Sequence, residues 1–411
     1  MSDFYVDDNI KDISHELNCK DCGALLHFAP GAQKLVCKYC GAQNEITIKD
    51  NTSFKVEEID FEQFIANQIN TEEKQTISTV KCNNCGANTT LKPNIISDNC
   101  VFCASPLVIK DGTTSTIIKP KYILPFKIEQ NKANEAFDKW LKSLWFAPND
   151  IVKRSAISEK INGLYMPYWT YDAKSSCTYQ GERGDDYETR DSKGNTTTKT
   201  RWTDVSGRVS NIFDDICVLA SHSLPQENTR RLEPWDSNNL QAFNEAYLSG
   251  FQTECYQIDV KDGLPIAKQI MEAEIRATIR EDIGGDRQRI TEMNPVYRDI
   301  TFKHALFPIW ISAYRYNDTA YRFIVNGRNG KVDGQRPISK IKVAIFLISL
   351  IGSGIGITSL IGGDSYFAVG IFELIIISAF IGWWKKDFRI NSELFTALND
   401  IKAMKEKNKT L

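Results

Sequence analysis

Histidine is scarce in this sequence, and familiar catalytic motifs are missing from it. The chain has four histidines in 411 residues, and none stands in an H-E-x-x-H motif. No G-x-x-x-x-G-K-[ST] loop and no G-x-S-x-G elbow occurs either. Zincin-type hydrolysis, nucleotide hydrolysis by a P-loop and serine-hydrolase chemistry are therefore unsupported. The eleven cysteines are too few for a disulfide scaffold but enough for metal sites.

An excess of positive charge is also missing. Fifty Lys and Arg residues face 52 Asp and Glu residues, a net charge of −2, which excludes a strongly basic protein that coats nucleic acid. Residues 1–110 contain 10 Lys, 15 acidic residues and no Arg, a net charge of −5. Because two zinc centres with four thiolates each would add about −2 apiece, this part repels phosphate. The sequence therefore favours protein partners over nucleic acid.

Eight cysteines form one pattern that occurs twice. Every ligand of the second copy lies 63 residues after its counterpart, which indicates a duplicated module. Cys-Gly-Ala recurs at 22–24, 40–42 and 85–87. The two sets are Cys19, Cys22, Cys37 and Cys40, and then Cys82, Cys85, Cys100 and Cys103.

The C-x2-C spacing has a physical reason. Two thiolates on one tight turn can face a single ion, and a glycine after the second cysteine lets the backbone turn there. A second pair on a hairpin completes a closed tetrahedral site of four sulfurs, whose metal supplies folding energy to a segment with little core. The pattern predicts two Zn²⁺ ions, one per four-cysteine site. Iron in the same four-sulfur geometry is the alternative, and disulfides do not fit a cytoplasmic location.

Apolar residues concentrate near the C-terminal end. Residues 343–363 carry no charge, and residues 366–384 carry only Glu373, so each run is long enough to cross a bilayer as a helix. Basic residues flank the two apolar runs, and Asp364 is the one charged residue between them. The start of the chain lacks the apolar h-region of a signal peptide. The positive-inside rule then predicts a multi-pass protein of the cytoplasmic (inner) membrane with both termini in the cytoplasm.

Five residues of this predicted hairpin carry membrane-related expectations. Gly352 and Gly356 have the spacing of close helix contact, either within the hairpin or in a homo-oligomer. Glu373 would contact another protein or form a hydrogen bond within the hairpin. Trp383 and Trp384 stand where an interfacial aromatic belt would lie.

The middle region, residues 111–336, reads as an α+β domain without a catalytic constellation. Helical periodicity covers 132–144, 237–248 and 265–281, and residues 57–68 between the cysteine sets also look helical. Residues 181–199 read as a polar loop. Cys177, Cys217 and Cys255 lack ligand spacing and are expected in the core. The pairs Asp185–Asp186 and Asp214–Asp215 are more typical of solvated turns than of catalytic carboxylates.

These features together resemble a known family. The paired cysteine ribbons, the motif Pro167-Tyr168-Trp169-Thr170-Tyr171-Asp172 and the apolar hairpin are similar to bacterial membrane proteins with transcription-factor-IIB-type zinc ribbons. Those proteins are often filed as replication factor Y or primosomal-helicase-like, although no helicase motif stands in this sequence. The resemblance implies adaptor work with phage-shock protein A and SPFH (flotillin-like) partners in envelope stress. It also implies that the eight cysteines bind zinc.

The sequence thus predicts a multidomain protein: two small zinc-ribbon β domains, an α+β soluble domain and a C-terminal two-helix transmembrane hairpin. The predicted boundaries are 1–49 for the first ribbon, 50–76 for a linker with an amphipathic helix, 77–110 for the second ribbon, 111–336 for the α+β domain, 337–385 for the hairpin and 386–411 for a basic amphipathic tail. The expected function is a membrane-anchored, non-enzymatic adaptor that recruits protein partners. A membrane-tethered nucleic-acid-binding regulator and an enzyme in the middle domain are the alternatives.

Overall fold

The computed structural model describes residues 17–46, 56–66, 74–83, 86–90, 97–100, 102, 106–108, 113–151, 161–190, 192, 194, 196–316, 319–346 and 348. Within these residues the chain forms a nine-stranded sheet, two three-stranded sheets and one two-stranded sheet. The large sheet carries the core, and the cysteine ribbons pack against it.

The first ribbon is a short antiparallel meander. Its strands pair in the order β1-β2-β3, and Leu26 lies opposite Cys37 across the first hairpin. Leu26, Phe28 and Leu35 point inward because alternate residues of a strand face the same side. The strands are β1 (Leu26–Ala29), β2 (Lys34–Cys37) and β3 (Gln43–Asn44).

The second ribbon has a longer scaffold of strands around it. Strand β5 pairs with β6 and β9, and β7 pairs with β8. These strands are β5 (Lys74–Lys81), β6 (Asn88–Thr90), β7 (Ser97–Asn99), β8 (Pro106–Val108) and β9 (Thr113–Ile118). Both ribbons are thus β structures, as the sequence predicts.

The segment between the ribbons docks on the large sheet. Strand β4 (Ile59–Asp60) pairs with residues 301–302 of that sheet, and helix α1 (Phe61–Ala66) follows it. The rings of Phe61 and Phe64 make edge-to-face contacts with Phe302. A helix is therefore present inside the predicted 57–68 segment, and its apolar face meets the sheet.

Three very long strands dominate the molecule. They are β11 (Asn162–Arg190), β12 (Thr196–Leu219) and β15 (Arg287–Tyr316), with lengths of 29, 24 and 30 residues. Strand β11 lies between β12 and β15 and is antiparallel to both. Smaller strands complete the sheet: β10 (Tyr122–Ile123), β13 (Gln241–Ala242), β14 (Gln252–Thr253), β16 (Thr319–Asn326) and β17 (Val332–Gly334).

Both faces of the sheet are buried near its middle. One face of β11 and β15 presents Met166, Tyr168 and Phe307 to one core cluster, and the other presents Tyr165 and Trp310 to a second cluster. Residues 164–170 (LYMPYWT) and 306–311 (LFPIWI) resemble each other in sequence, and residues 164–167 pair antiparallel with residues 306–309. A strand with one exposed face alternates polar and apolar residues. Because these segments are buried on both faces, they lack that alternation and are continuous apolar runs in the sequence.

The sheet extends past this core as an arm, which comprises residues 174–190, 196–212 and 287–298. Helix α4 (Val260–Ile283) covers one face of the arm with Leu264, Met271, Ile275 and Ile279. Each fully buried side chain of this size contributes about 1.5–3 kcal/mol. Two further helices are α2 (Gln130–Ser143) and α3 (Gln226–Arg230).

The predicted fold class is wrong for the middle region. The structure has a large β-rich domain there in place of an ordinary α+β domain. The polar segment 181–199 belongs largely to β11 and β12, including the Asp185–Asp186 pair, because cross-strand pairing does not require apolar residues on an exposed face. The predicted helix 237–248 is instead two 3₁₀ turns, Ser237–Asn239 and Glu245–Leu248, around strand β13. The helix predicted at 132–144 is confirmed by α2, and the one at 265–281 lies within α4.

The predicted transmembrane hairpin is also corrected, and with it the inner-membrane location and the membrane as a partner. Among the described residues, no helix is long and apolar enough to cross a bilayer. Residues 340–346 are helical, and the rest of the two apolar runs lies outside the described residues, as do Gly352, Gly356, Glu373, Trp383 and Trp384.

Basic residues that the sequence assigned to a membrane flank have partners within the fold. The Arg328 guanidinium binds the Asp236 carboxylate, with Nε at 2.8 Å from Oδ1. Lys331 Nζ donates to the Glu233 carbonyl at 2.8 Å, and Lys342 Nζ donates to the Ala147 carbonyl at 2.7 Å. These three basic side chains therefore make contacts within the fold.

Candidate metal centre

The first cysteine set is gathered into one cluster. The four Sγ atoms of Cys19, Cys22, Cys37 and Cys40 all lie within 4.8 Å of one another. The Cys19–Cys40 and Cys22–Cys37 sulfur pairs are each 3.5 Å apart. A tetrahedral ion with metal–sulfur distances of about 2.3 Å has sulfur–sulfur edges of about 3.8 Å. The cluster therefore has the donor set and nearly the size of a closed four-sulfur metal site.

Two knuckles with the same backbone geometry build this cluster. In the first, Cys19 N–H donates to the Ala24 carbonyl at 2.7 Å, and Gly23 N–H donates to the Cys19 carbonyl at 2.8 Å. In the second, Cys37 and Gly41 repeat these bonds at 2.9 and 3.0 Å. Gly23 and Gly41 have φ values of 75° and 76°. Glycine adopts this left-handed region without strain, which explains its place after the second cysteine of each pair.

The thiols of this cluster shift one another's pKa, and backbone N–H groups shift them as well. Backbone N–H groups of Cys40 and Tyr39 lower the pKa of Cys37 to about 6. The pKa of Cys40 is raised to about 12, because the N–H of Ala42 lowers it less than the three neighbouring sulfurs together raise it. Four adjacent thiolates repel one another, so a bound cation is what would let all four ionise.

The second cysteine set repeats the first knuckle. Cys82 N–H donates to the Ala87 carbonyl, and Gly86 N–H donates to the Cys82 carbonyl, both at 2.8 Å. Gly86 has a φ of 77°, close to the values of its two counterparts. Cys82 and Cys100 are both buried. Cys85 and Cys103 lie outside the described residues, so the second four-cysteine metal site stays a prediction.

The first ribbon packs on one face of the large sheet. The Phe28 ring meets Tyr247 edge-to-face, with ring centroids 5.2 Å apart. Phe28 N–H donates to the Ser249 carbonyl at 3.0 Å, and Ser249 Oγ donates to the Leu26 carbonyl. Cys19 and Cys37 belong to the same buried cluster as Tyr165 and Trp310 of the sheet. Two of the four clustered cysteines, Cys19 and Cys37, are therefore anchored to the core.

The second ribbon packs on the opposite face. Val80, Cys82 and Phe102 belong to the buried cluster that contains Met166 and Phe307. Because Tyr165 and Met166 are consecutive residues of β11, their side chains point to opposite sides of the sheet. The two ribbons thus enclose the same part of the sheet from both sides.

A buried polar cluster lies where the arm leaves the core. Lys303 Nζ is 2.8 Å from Asp172 Oδ2, 2.9 Å from Asp215 Oδ1 and 3.3 Å from Glu58 Oε1. The Lys303 side chain is only 4% exposed. Burial raises the pKa of Asp172 to about 6, against the lowering effect of Lys303. Asp172, Asp214 and Asp215 offer three carboxylates in one place, and the Lys303 ammonium already supplies a cation to two of them.

Sequence reasoning missed this cluster. It treated Asp214–Asp215 as a solvated turn, whereas Asp215 is half-buried and stands in a bulge opposite Asp172. The one available signal was the final Asp172 of the aromatic motif, a carboxylate that follows a run of apolar residues. Its partner Lys303 is 131 residues away in the chain, and only strand pairing brings the two together.

The other candidate residues of the middle region are structural. Cys177, Cys217 and Cys255 are buried, as expected for core residues. Burial raises the pKa of Cys255 to about 12 and also raises the pKa of Cys177. His304 is buried beside Trp169, with ring centroids 4.4 Å apart, and burial lowers its pKa to about 3. A neutral, enclosed imidazole of this kind is a core residue.

No family model matches this chain. The chain is similar to "Uncharacterized protein YdjG" of Bacillus subtilis (strain 168), with 28% identity over 244 residues. The match covers 57% of this chain and 69% of YdjG. No solved structure matches. The similarity to YdjG brings no named activity, so the function rests on the site itself.

Proposed function

We propose that this chain is a zinc-stabilised adaptor, in which two four-cysteine ribbons brace a β-sheet core whose arm binds a protein partner. The observation that carries the proposal is the four-sulfur cluster of the first ribbon, built by two matching knuckles and anchored on the sheet. A repeated knuckle at Cys82 supports a second ion of the same kind.

Zinc is the proposed ion because of the donor set and the closed geometry. Four thiolates saturate a tetrahedral ion and leave no open position for substrate, which is the arrangement of a structural zinc site. Iron fits the same geometry but serves electron transfer. The ribbons contact the sheet through apolar side chains such as Phe28 and Phe102, so the metal's contribution is to hold these chains in place.

The arm is the proposed contact for a partner. From Lys174 to Arg190, strand β11 alone extends over about 55 Å at 3.3 Å per residue. Helix α4 covers one face, and the other, which we call the open face, carries Ser176, Thr178 and Gln180. Ile212 is 78% exposed and Val296 53% exposed on this open face. A mixed polar and apolar surface is typical of non-obligate protein interfaces.

Metal analysis of the purified full chain tests the first half of the proposal. We expect two zinc ions per chain by elemental mass spectrometry, and one in the Cys37→Ser and Cys82→Ser variants. Cys255→Ser removes a buried thiol outside both sets and should keep two ions. Iron in place of zinc, or equal metal content in all variants, would contradict the assignment.

Site-specific photocrosslinking tests the second half. A photoreactive residue at Thr178 on the open face should form an adduct with a defined protein other than this chain, in cells that produce it. The same residue at Glu274, exposed on α4, is the matched control and should not form that adduct. Retention of the full chain on DNA with strong salt dependence would instead favour a nucleic-acid-binding function.

A further inference from the structure

The outer edge of strand β12 is a long row of backbone donors and acceptors. Strand β12 stands at the end of the main strand order, β12-β11-β15-β10-β13. Within the part of the chain that the structure describes, no strand pairs with its outer side. Edges of this kind are templates for pairing with another chain, and proteins usually protect them with proline, bulges or charge.

The two sides of the arm differ in this protection. Strand β15 borders the other side, and its arm portion contains Pro295, which has no N–H to donate. Strand β12 has no proline from Thr196 to Leu219, and its one irregularity, at Asp214–Asp215, lies at the base of the arm. The edge from residue 196 to residue 212 is therefore regular and open to pairing.

Charges along this edge are self-complementary. Asp204, Ser206 and Arg208 are all exposed, and because they alternate along the strand their side chains share the open face. If two β12 strands pair antiparallel with Ser206 opposite Ser206, Asp204 of each copy faces Arg208 of the other. The same register places Val205 opposite Gly207, on the face where the Tyr179 ring lies over Gly207.

Both charges lack a partner within the described arm. Arg287 and Arg289 on the same face already bind Asp186 and Glu182. Asp204 and Arg208 make no ion pair among the described residues, and Asp204 stands directly opposite the like-charged Glu182. An incoming guanidinium at Asp204 would offset that repulsion, because opposite charges across a strand pair stabilise it.

We propose that this chain forms a symmetric dimer by antiparallel pairing of its β12 edges about Ser206. The two arms then form a continuous six-stranded sheet, with both α4 helices on one side and both open faces on the other. The proposal does not depend on the metal or on what the open face binds. It identifies a second copy of the chain as the occupant of the edge.

Charge reversal in the full chain tests the register directly. Sedimentation of the wild-type chain over a dilution series should give a mass twice the 46.6 kDa of the monomer. In the Asp204→Arg variant, the new arginine of each copy faces Arg208 of the other, so the dimer contains two pairs of like charges. In the Arg208→Asp variant, the new aspartate of each copy faces Asp204 of the other in the same way. Each change should weaken the dimer about 10-fold or more. The double variant Asp204→Arg/Arg208→Asp restores both pairs and should restore dimerisation.

Two further measurements keep the test decisive. Glu292→Arg changes the same charge on β15, away from the β12 edge, and should leave the dimer intact. Amide exchange across residues 200–212 should slow as the wild-type concentration rises, which does not require any variant to fold. A monomeric wild-type chain would overturn the proposal, and so would single charge reversals that leave the dimer unchanged. A monomer would leave the β12 edge available to a strand of a different protein.

Discussion

At the scale of single residues, Lys303 makes the most consequential contact outside the metal centre. Its ammonium lies within 3.3 Å of oxygens from Asp172, Asp215 and Glu58, and its side chain is almost fully buried. Burial works against the charged form, but the hydrogen bonds to Asp172 and Asp215 outweigh it and raise the pKa of Lys303. Glu58 belongs to the segment between the ribbons, so this one cation on β15 joins that segment to β11 and β12.

Replacement of Lys303 by methionine should destabilise the protein strongly. Methionine fills a similar volume but leaves the Asp172 and Asp215 carboxylates without a cation in a half-buried site. We expect a loss of about 3–5 kcal/mol in the free energy of unfolding at neutral pH. Urea unfolding followed by circular dichroism measures it. Lys174→Met, which removes the exposed 2.9 Å pair with Asp299, is the matched control and should change the free energy of unfolding far less than Lys303→Met.

The penalty of Lys303→Met should depend on pH. Burial raises the pKa of Asp172 to about 6 in the folded chain, above its ordinary 3.8. Because the folded chain binds this proton more tightly than the unfolded chain, protonation of Asp172 stabilises the fold. This stabilisation is complete below about pH 4 and is lost as the pH rises through 6. Without the ammonium the Asp172 pKa rises further, so the variant should lose more stability relative to wild type at about pH 8 than at about pH 5. A penalty of equal size at both values would show that the carboxylate is not the cause.

At the scale of elements, helix α4 and the three long strands depend on one another. Trp169 Nε1 donates to the Ile258 carbonyl at 2.8 Å, and Tyr171 Oη donates to the Val260 carbonyl at 2.6 Å. These two bonds hold the start of the helix on the sheet, and Asp259 caps it by accepting from Val260 N–H. Further along, Asn211 Nδ2 donates to Thr278 Oγ1 at 2.8 Å. The aromatic motif thus positions the helix that covers the arm.

Truncation of Ile275 to alanine should loosen the arm. Ile275 is fully buried between α4 and the sheet, so the change removes apolar contacts and leaves a cavity. We expect a loss of about 2–5 kcal/mol and faster amide exchange in residues 174–190 and 196–212. Arg276→Ala, one residue later and exposed, is the control and should leave exchange in these strands nearly unchanged. Exchange that accelerates equally in the first ribbon would show a global loss of stability instead.

The elements also show which patterns in the sequence were informative. Helices with one apolar face, α2 and the body of α4, were predicted with nearly correct bounds because a 3.6-residue period survives one-sided burial. The sequence predicts the long strands only in pieces, as strand-like runs at 165–173, 177–180, 201–210 and 305–316. The part of each long strand that lies in the core is buried on both faces, whereas the part that lies in the arm has one polar face. The alternation of polar and apolar residues therefore changes along each strand.

At the scale of the whole molecule, the two ribbons lie on opposite faces of one sheet. Cys37 shares a cluster with Tyr165, and Cys82 shares a cluster with Met166, the adjacent residue on β11. This arrangement gives the duplication a physical role, because a sheet buried on both faces needs a cover on each side. A metal-stabilised ribbon of about 30 residues is a small unit that can provide such a cover.

Removal of the metal should therefore expose the core on both sides. We expect a chelator to increase binding of a hydrophobic dye and to make residues 17–46 sensitive to protease, while helix α4 keeps its protection from amide exchange. Zinc added back after removal of the chelator should reverse these effects. Unchanged dye binding after complete loss of the metal would show that apolar contacts such as Phe28 with Tyr247 hold the ribbons without it.

The sequence by itself determined the local chemistry of this protein. Cysteine spacing and the glycines after each pair specify the knuckles, since a tight turn and two thiolates on it are properties of a few neighbouring residues. Tertiary structure decided the rest. Strand pairing brings Lys303 to Asp172 across 131 residues, aligns the segments around the aromatic motif and sets the ribbons on opposite faces. Such contacts depend on register between distant segments, which no local pattern specifies.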